Sequence, residues 1–312
     1  MKTALIFPGQ GSQYIKMGLD FYSKYSVSRD IYERLDNSIE KNLSKLIFSG
    51  EEEELLKTQN SQPAIMATSI SIFEALKYEN LLDINTYDCV AGHSLGEYSA
   101  LVVNQGLKFE DSVRLLKFRS KAMQDSMPVG TGGMIALIGC KEQDVTKAII
   151  SARKYGKIFM ANDNALDQVV LSGEISAIDY ISHNSKDLGI KRAIKLPVSA
   201  PFHCELITSA SKAMSEEISN YVFNSFTVPL YSNVTSEVCN ENEIASLLID
   251  QIISKVRWRE IVENMIKDGV QKFIEIGPGN ILTNLVKRAS KDLSAISISK
   301  LEDFDKLENL KL

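Results

Sequence analysis

The sequence predicts an α/β fold with a largely parallel sheet, into which a second, smaller α/β unit is inserted. Short apolar runs alternate with amphipathic helical patterns along most of the 312 residues, as in proteins whose parallel strands are joined by helices. A chain of this length that is 44% hydrophobic and 24% charged can bury a full core as one large domain or two smaller ones.

Nine apolar runs have the length and composition of β-strands. They are TALIF (3–7), DCVA (88–91), MIALIG (134–139), KIFMA (157–161), QVVLSG (168–173), KRAIKLPV (191–198), PLYSNV (229–234), KFIEIG (272–277) and AISIS (295–299). Between most of these runs lie helical patterns, among them 97–105, 112–124, 142–154 and 174–188. The acidic run at 51–54 predicts the start of a helix, where carboxylates interact favourably with the helix dipole.

The stretch from Gly132 to Pro197 differs from the rest in its order of elements, which reads strand, helix, strand, strand, helix, strand. That order is the ferredoxin-like arrangement. Turn-forming residues flank it on both sides, in PVGTGG and LPVSAPFH. We therefore expect a small domain at 128–198 inserted into a large domain made of 1–127 and 199–312, with a cleft between them that favours a ligand site.

The composition argues against several classes of protein. The net charge of −5, from 35 basic and 40 acidic side chains, does not favour general nucleic-acid binding. No apolar run approaches the length of a membrane span, and the N-terminus MKTALIFPGQ lacks the longer apolar region of a signal peptide. The four cysteines form no CxxC pair, so neither a zinc site nor a redox motif is indicated. We expect a cytoplasmic protein with reduced thiols and no metal.

The segment AGHSLGEYSA (91–100) contains a serine, Ser94, between two glycines. An apolar run precedes it and a helical pattern follows, so the Gly-x-Ser-x-Gly motif has the context of a nucleophile elbow. The turn of such an elbow is so tight that side chains at Gly92 and Gly96 would clash. An ordinary Gly/Ser turn at the end of a strand is the alternative.

A nucleophilic serine needs a base, usually histidine, and the chain contains three histidines. His93 is adjacent to Ser94, so its side chain is expected to point elsewhere from the turn. His183 lies outside the apolar stripe of its helix and is expected to be exposed. His203 follows the small domain, where the chain returns to the presumed cleft, and is the candidate base by elimination. A purely structural histidine is the alternative.

Two backbone N–H groups are needed to stabilise the oxyanion of a tetrahedral intermediate. In an elbow one of them belongs to the residue after the nucleophile, which is Leu95. The loop FPGQGSQ (7–13) follows an early strand and offers Gln10 as the second donor. A phosphate cradle is the competing interpretation of this loop, although a Gly-x-Gly without a third glycine is weak evidence for one.

Arg119 is placed unusually, because it falls within the apolar stripe of the helix at 112–124. Such an arginine can extend its charged end outward to solvent, or it can form an internal ion pair. A third possibility is that its planar guanidinium binds a carboxylate of the substrate. The pattern alone leaves all three open.

Seven motifs in the same order make nearly the whole chain resemble the malonyl-CoA:acyl carrier protein transacylases. They are FPGQGSQ (7–13), AGHSLGEYSAL (91–101), FRSKAMQ (118–124), VSAPFHCEL (198–206), PLYSNVTS (229–236), VRW (256–258) and EIGPGNILTNLVKR (275–288). The resemblance implies an α/β-hydrolase-like large domain carrying a ferredoxin-like small one. It further implies that Ser94 is acylated, that His203 is the base, that Gln10 and Leu95 supply the oxyanion donors, and that Arg119 holds the malonyl carboxylate.

The resemblance also implies that a backbone carbonyl, at Gln251, orients the histidine in place of an aspartate. Phe202, just before the histidine, is the residue type that the family associates with malonyl rather than methylmalonyl. Where the family reads close to NSPGQVV this chain reads NALDQVV, which keeps Asn162 and Asn164 as candidate substrate contacts but loses the Pro-Gly turn. Lys255 replaces a proline that is common before the VRW motif.

The activity implied is transfer of malonyl from malonyl-CoA to the phosphopantetheine thiol of acyl carrier protein, through a malonyl-serine, for fatty acid biosynthesis. Malonyl-CoA and CoA are then substrate and product, and no cofactor is implied. One rival is a serine hydrolase, which would release CoA without needing the carrier. A second is a non-catalytic scaffold that binds the carrier, which would have no reason to keep Ser94, His203 and Arg119 together.

Overall fold

The computed structural model describes residues 1–311, which contain ten strands. They are β1 (Lys2–Phe7), β2 (Cys89–Gly92), β3 (Gly132–Ile138), β4 (Ile158–Ala165), β5 (Gln168–Glu174), β6 (Arg192–Lys195), β7 (Leu230–Tyr231), β8 (Val238–Cys239), β9 (Val270–Ile276) and β10 (Ser294–Ile298). All nine predicted strands are present within a few residues of their expected bounds. The additional strand, β8, has only two residues, which is too short to produce a recognisable pattern.

Fourteen α-helices occur in the same described range. They are α1 (Leu19–Lys24), α2 (Ser26–Ile39), α3 (Leu43–Ser49), α4 (Glu52–Leu56), α5 (Thr58–Tyr78), α6 (Gly96–Val103), α7 (Phe109–Asp125), α8 (Glu142–Ala152), α9 (Ile175–Asn184), α10 (Thr208–Ile218), α11 (Ile244–Gln251), α12 (Trp258–Lys267), α13 (Ile281–Ala289) and α14 (Phe304–Lys311). No helix in residues 1–311 combines the length and the apolar character that a membrane crossing requires.

A six-stranded sheet in the order β10-β9-β1-β2-β7-β8 forms the centre of the protein. Every pair in it is parallel except β7 with β8. The middle strand β1 is buried along Ala4–Phe7, which explains its continuous apolar run, since helices cover both faces of a parallel sheet. The expected mostly parallel α/β fold is therefore confirmed.

The second sheet has the order β4-β5-β3-β6, and all its neighbouring strands are antiparallel. With α8 between β3 and β4 and α9 between β5 and β6, this is the strand order of the ferredoxin-like arrangement that the sequence predicts. The division into domains at 128–198 stays a prediction. The turn that lacks Pro-Gly is a two-residue link at Leu166 and Asp167, which joins β4 to β5.

Two helices carry the polar residues that reach the end of the parallel sheet. Helix α5 is 21 residues long and buried on nearly all sides, so even its polar side chain Gln62 lies inside the protein. Helix α7 packs beside it and buries Val113, Leu116 and Met123, while Arg114 and Lys117 are exposed as expected. Arg119 is on the buried face, and this places a guanidinium next to the carboxyl end of β2.

Candidate active site

The turn between β2 and α6 is a tight elbow with Ser94 at its tip. Ser94 has a φ of 54°, a left-handed conformation that a non-glycine residue adopts only when its surroundings enforce it. A Cβ atom at Gly92 would lie 1.9 Å from the backbone of Gly96, and one at Gly96 would lie 2.2 Å from the carbonyl oxygen of Phe7. The two glycines therefore let the strand, the turn and the helix pack in direct backbone contact, which leaves the serine hydroxyl at the tip.

The structure brings Ser94 and His203 together, although they are 109 positions apart in the chain. The Oγ of Ser94 lies 2.8 Å from the Nε2 of His203. The Nδ1 of the same ring lies 2.8 Å from the backbone carbonyl oxygen of Gln251. Like the serine, His203 has a positive φ, of 59°, so both side chains are carried on strained backbone, which is common where a site must be preorganised.

The partners of the serine hydroxyl define the direction of each hydrogen bond. The Nη2 of Arg119 donates to the Oγ of Ser94 at 3.0 Å, because a guanidinium can only donate. The hydroxyl proton is then free to point at the Nε2 of His203, which accepts it. This requires the Nδ1–H tautomer, and that N–H donates to the carbonyl of Gln251. Burial and the charge of Arg119 lower the pKa of His203 to about 3, so the ring is a neutral acceptor at physiological pH.

Arg119 is fully buried, with 1% of its surface exposed. Its Nη1 donates to the Oε1 of Gln62 at 2.6 Å, and its Nη2 donates to the Oε1 of Gln251 at 2.7 Å. The guanidinium thus does not extend to solvent, and it forms no direct ion pair with any described residue, which excludes two of the three possibilities left by the sequence there. Its Nε–H has no hydrogen-bond partner among the described residues. A buried cation held by neutral amides retains the capacity to bind an incoming carboxylate.

A cavity of about 310 Å³ opens beside the elbow. Every site residue proposed from the sequence lies on its wall except Gln251. Gln251 instead contacts the Nδ1 of His203, on the side of the ring opposite to Ser94. Leu95 and Gln10 face the cavity from the two loops expected to supply oxyanion donors, and neither backbone N–H donates to another described residue. Phe202 lies on the same wall and is 5% exposed.

The two asparagines of β4 are both buried on the cavity wall, although the family's Pro-Gly turn is missing. Asn162 is 6% exposed and Asn164 is 9% exposed. The Oδ1 of Asn164 lies 2.8 Å from the Nε2 of His93, an arrangement in which the ring donates to the amide. His93 is therefore bonded to Asn164 rather than to Ser94, as its position next to the serine predicts, but its ring does form part of the cavity wall.

Two buried polar residues near the elbow, Asn233 and Glu97, are not among those predicted from the sequence. The side chain of Asn233 accepts from the backbone N–H of Ser94 at 2.7 Å and donates to the carbonyl of Gly92 at 2.7 Å, so it closes the turn from both ends. Glu97 is 1% exposed and bonds the side chain of Gln251. Asn233 lies in the PLYSNVTS motif and Glu97 in the AGHSLGEYSAL motif, which are the signals that could have found them. The residue type of Glu97 adds nothing to this, because an acidic residue in the first turn of a helix is common.

The replacement of a proline by Lys255 leaves the nearby backbone able to reach the histidine, since the carbonyl of Gln251 lies within hydrogen-bond distance of it. The Nζ of Lys255 instead pairs with Glu260 at 3.2 Å and lies 3.8 Å from Asp163. Among the described residues, no group of three or more His, Cys, Asp or Glu side chains is placed to hold a metal ion.

Comparison with known proteins gives concordant matches over almost the whole chain. The profile of the family described as the acyl transferase domain matches residues 4–303. A malonyl CoA-acyl carrier protein transacylase of Bacillus subtilis is 39% identical over 306 residues, covering 97% of this chain and 95% of the relative. A protein of the same name from Haemophilus influenzae is 37% identical over 308 residues, covering 98% of each chain.

Solved structures give the same result. A crystal structure of an acyl-carrier-protein-S-malonyltransferase from Bartonella henselae has a TM-score of 0.95 and 38% identity, and each chain is covered completely. A malonyl-transacylase solved in complex with its type II PKS acyl-carrier protein has a TM-score of 0.94 and 34% identity, covering 99% of this chain and 100% of that one.

Proposed function

Since this chain belongs to the acyl transferase family, among the malonyl-CoA:acyl carrier protein transacylases, we propose that Ser94 carries the malonyl group between its two thiol carriers. The reaction is transfer of malonyl from malonyl-CoA to the phosphopantetheine thiol of acyl carrier protein, for fatty acid biosynthesis. The observation that carries the assignment of the nucleophile is the 2.8 Å contact between Ser94 and His203, at the tip of a strained elbow.

In the first half-reaction the Oγ of Ser94 attacks the thioester carbonyl of malonyl-CoA while the Nε2 of His203 takes the hydroxyl proton. The carbonyl of Gln251 stabilises the resulting imidazolium by accepting from its Nδ1–H, as a carboxylate does in a Ser-His-Asp triad. The N–H groups of Gln10 and Leu95 stabilise the oxyanion. Collapse of the intermediate breaks the C–S bond, and His203 returns the proton to the departing CoA thiolate.

In the second half-reaction the carrier thiol replaces CoA in the same site. His203 takes the thiol proton, and the thiolate attacks the ester carbonyl of malonyl-Ser94. The same two N–H groups stabilise the second oxyanion. Breaking the ester bond regenerates the serine hydroxyl, which receives the proton from the imidazolium, so that the enzyme returns to its starting protonation state.

Arg119 is proposed to bind the malonyl carboxylate. Its Nη2 lies 3.0 Å from the nucleophile, within reach of the far end of a three-carbon acyl group attached to Ser94. The unpaired Nε–H supports this role, because a buried donor without a partner costs free energy that an incoming carboxylate removes. Phe202, Asn162 and Asn164 are proposed to shape the acyl pocket.

A serine hydrolase with the same elbow is the second candidate function. The buried cation beside the nucleophile disfavours it, since an esterase acting on neutral acyl groups gains nothing from one. A non-catalytic scaffold is disfavoured because the hydrogen bonds that link Ser94, His203 and Arg119 are all in place.

We further propose that the enzyme is cytoplasmic and that it needs no cofactor, because malonyl-CoA and CoA are its substrate and product. The four cysteines, Cys89, Cys140, Cys204 and Cys239, are buried and unpaired, which fits a reducing compartment. Neither statement depends on the assignment of the catalytic residues.

Labelling with radioactive malonyl-CoA tests the proposal. We expect the wild-type protein to become labelled and Ser94→Ala to remain unlabelled. Ser99→Ala is the matched control, because Ser99 is a buried serine of α6, the helix that follows the elbow, and its hydroxyl has no partner among the described residues; this variant should be labelled normally. Labelling of Ser94→Ala would place the nucleophile elsewhere. Release of CoA at the same rate with and without the carrier would favour a hydrolase.

A further inference from the structure

Glu97 lies three residues after the nucleophile, in the first turn of α6, and is 1% exposed. Its two carboxyl oxygens have different partners. One accepts from the side-chain Nε2 of Gln251, and the other accepts from the backbone N–H of Asn233 at 3.3 Å. Because both partners donate, the arrangement suits a carboxylate, which can only accept.

Gln251 connects this carboxylate to the reacting groups. Its Oε1 accepts from Arg119 at 2.7 Å, its Nε2 also donates to the carbonyl oxygen of Ser94 at 3.1 Å, and its backbone carbonyl accepts from His203 at 2.8 Å. One residue therefore contacts the cation, the turn of the nucleophile and the base. Its side-chain amide has two ends of similar size and opposite hydrogen-bonding character.

The orientation of that amide decides how well the cation is held. If the amide flipped, its NH₂ group would face the guanidinium of Arg119, and two donors would then oppose each other. An acceptor-only group at the other end prevents this, because a carboxylate at Glu97 binds the NH₂ end and repels the oxygen end. Glu97 thus determines that the Oε1 of Gln251 points at Arg119.

The same arrangement offsets the buried charge of Arg119 without neutralising it through direct contact. In the described part of the chain, the hydrogen-bond acceptors of Arg119 are two amides and the serine hydroxyl. Burial lowers the pKa of Arg119, and the nearby groups Tyr98 and Glu97 oppose that shift by their charge. Burial raises the pKa of Glu97 to about 8, while the hydrogen bonds from Gln251 and Asn233 and the charge of Arg119 oppose that rise. Both carboxyl oxygens face N–H donors, which is the arrangement that the ionised form requires. Tyr98 and Cys239 are the other titratable groups that interact with it.

We propose that Glu97 is a positioning residue which, by fixing the amide of Gln251, keeps Arg119 in place and open to the carboxylate of the acyl group. It thereby sets the preference for a carboxylated acyl group over a neutral one. This inference rests on the proposed function, since it concerns the same cation. Glu97 itself touches neither the acyl group nor the reacting atoms.

A double-mutant cycle on Glu97→Gln and Gln251→Leu tests the proposal, with kcat/KM measured for malonyl-CoA and acetyl-CoA. A glutamine at 97 has one acceptor for two donors, so it no longer fixes the amide. Glu97→Gln should lower kcat/KM for malonyl-CoA about 10- to 100-fold, the value of a charge-assisted hydrogen bond, and lower that for acetyl-CoA much less. The double variant should be no worse than Gln251→Leu alone, because both changes remove the same interaction.

Glu275→Gln is the matched control, because Glu275 is also a buried glutamate that accepts two backbone N–H groups, from Leu282 and Thr283. Glu275→Gln should lower the melting temperature about as much as Glu97→Gln does. It should leave the ratio of kcat/KM for malonyl-CoA to kcat/KM for acetyl-CoA unchanged. If Glu97→Gln fails to fold, the cycle is run with Glu97→Asp, whose shortened carboxylate also loosens the contact, and the same non-additivity is expected.

The possible outcomes distinguish a failure of the proposed malonyl transfer from a failure of the role proposed for Glu97. If the wild-type protein does not transfer malonyl, the proposed function fails. If the wild type is active but Glu97→Gln reduces both acyl groups equally, or if the losses in the cycle add, Glu97 does not act through Gln251 on the cation and the inference is overturned.

Discussion

Acidification should destabilise this protein because of the histidine that serves as the proposed base. His203 has a pKa of about 3 in the folded state, owing to burial and to Arg119, whereas an unfolded histidine has a pKa of about 6.5. Below pH 6.5 the unfolded chain binds a proton that the folded chain does not bind. The free energy of unfolding therefore falls as the pH falls, by about 1.4 kcal/mol per pH unit well below pH 6.5, or about 3 kcal/mol in total between pH 7.0 and 4.5.

Urea unfolding of the wild type and of His203→Gln at pH 7.0 and at pH 4.5 measures this contribution. The substitution removes the titrating ring, so the variant should lose about 3 kcal/mol less on acidification than the wild type. His93, whose pKa burial also lowers, is present in both proteins, and so are the carboxylates, so their contributions cancel in the comparison. Equal losses in the two proteins would mean that the ring at 203 is not kept neutral by its surroundings.

Two further substitutions test the acyl site. Arg119→Ala should lower kcat/KM for malonyl transfer by roughly 100-fold, the cost of about 3 kcal/mol for a buried charge-assisted pair, and should affect acetyl transfer much less; equal losses for both acyl groups would contradict the carboxylate role. Phe202→Ser enlarges the cavity beside His203, so the variant should accept a methylmalonyl group. Intact-protein mass spectrometry after mixing with methylmalonyl-CoA measures this, and an unchanged acyl preference would argue against a steric role for Phe202.

Most of the fold could be predicted from the chain, because periodicity is a local property. The buried strand β1 has a continuous apolar run, and the order of strands and helices between Gly132 and Lys195 specifies the ferredoxin-like topology. The bounds were less predictable. The run at 191–198 forms a strand only over Arg192–Lys195, before Pro197, which lacks the N–H needed to extend the ladder.

Some groups of the candidate site could also be recognised from the sequence, either because they lie in a motif or because they are charged where the pattern is apolar. Ser94 lies between glycines that the packing requires, and Arg119 is a cation on an apolar helix face. Glu97 and Asn233 lie within two of the seven motifs, but their residue types did not mark them as parts of the site, because a glutamate in the first turn of a helix and an asparagine after a strand are common on any protein surface. Their roles at the site come from their burial and from their hydrogen-bond partners, which are distant in the chain. Glu97 and Asn233 themselves are hydrogen-bonded to each other across 136 positions.

The sequence by itself determined the α/β class and the antiparallel unit between Gly132 and Lys195, and it predicted the elbow around Ser94 and most residues of the candidate site. Only the tertiary structure decided that Gln251, whose backbone carbonyl was expected to bind His203, also binds Arg119 through its side chain, and that the carboxyl group of Glu97 binds the other end of that side chain. The physical reason is the distance along the chain between the residues that interact. Strands, helices and turns follow from neighbours along the chain, whereas the direction of a hydrogen bond and the pKa of a buried group depend on residues that only the folded packing brings within a few ångströms.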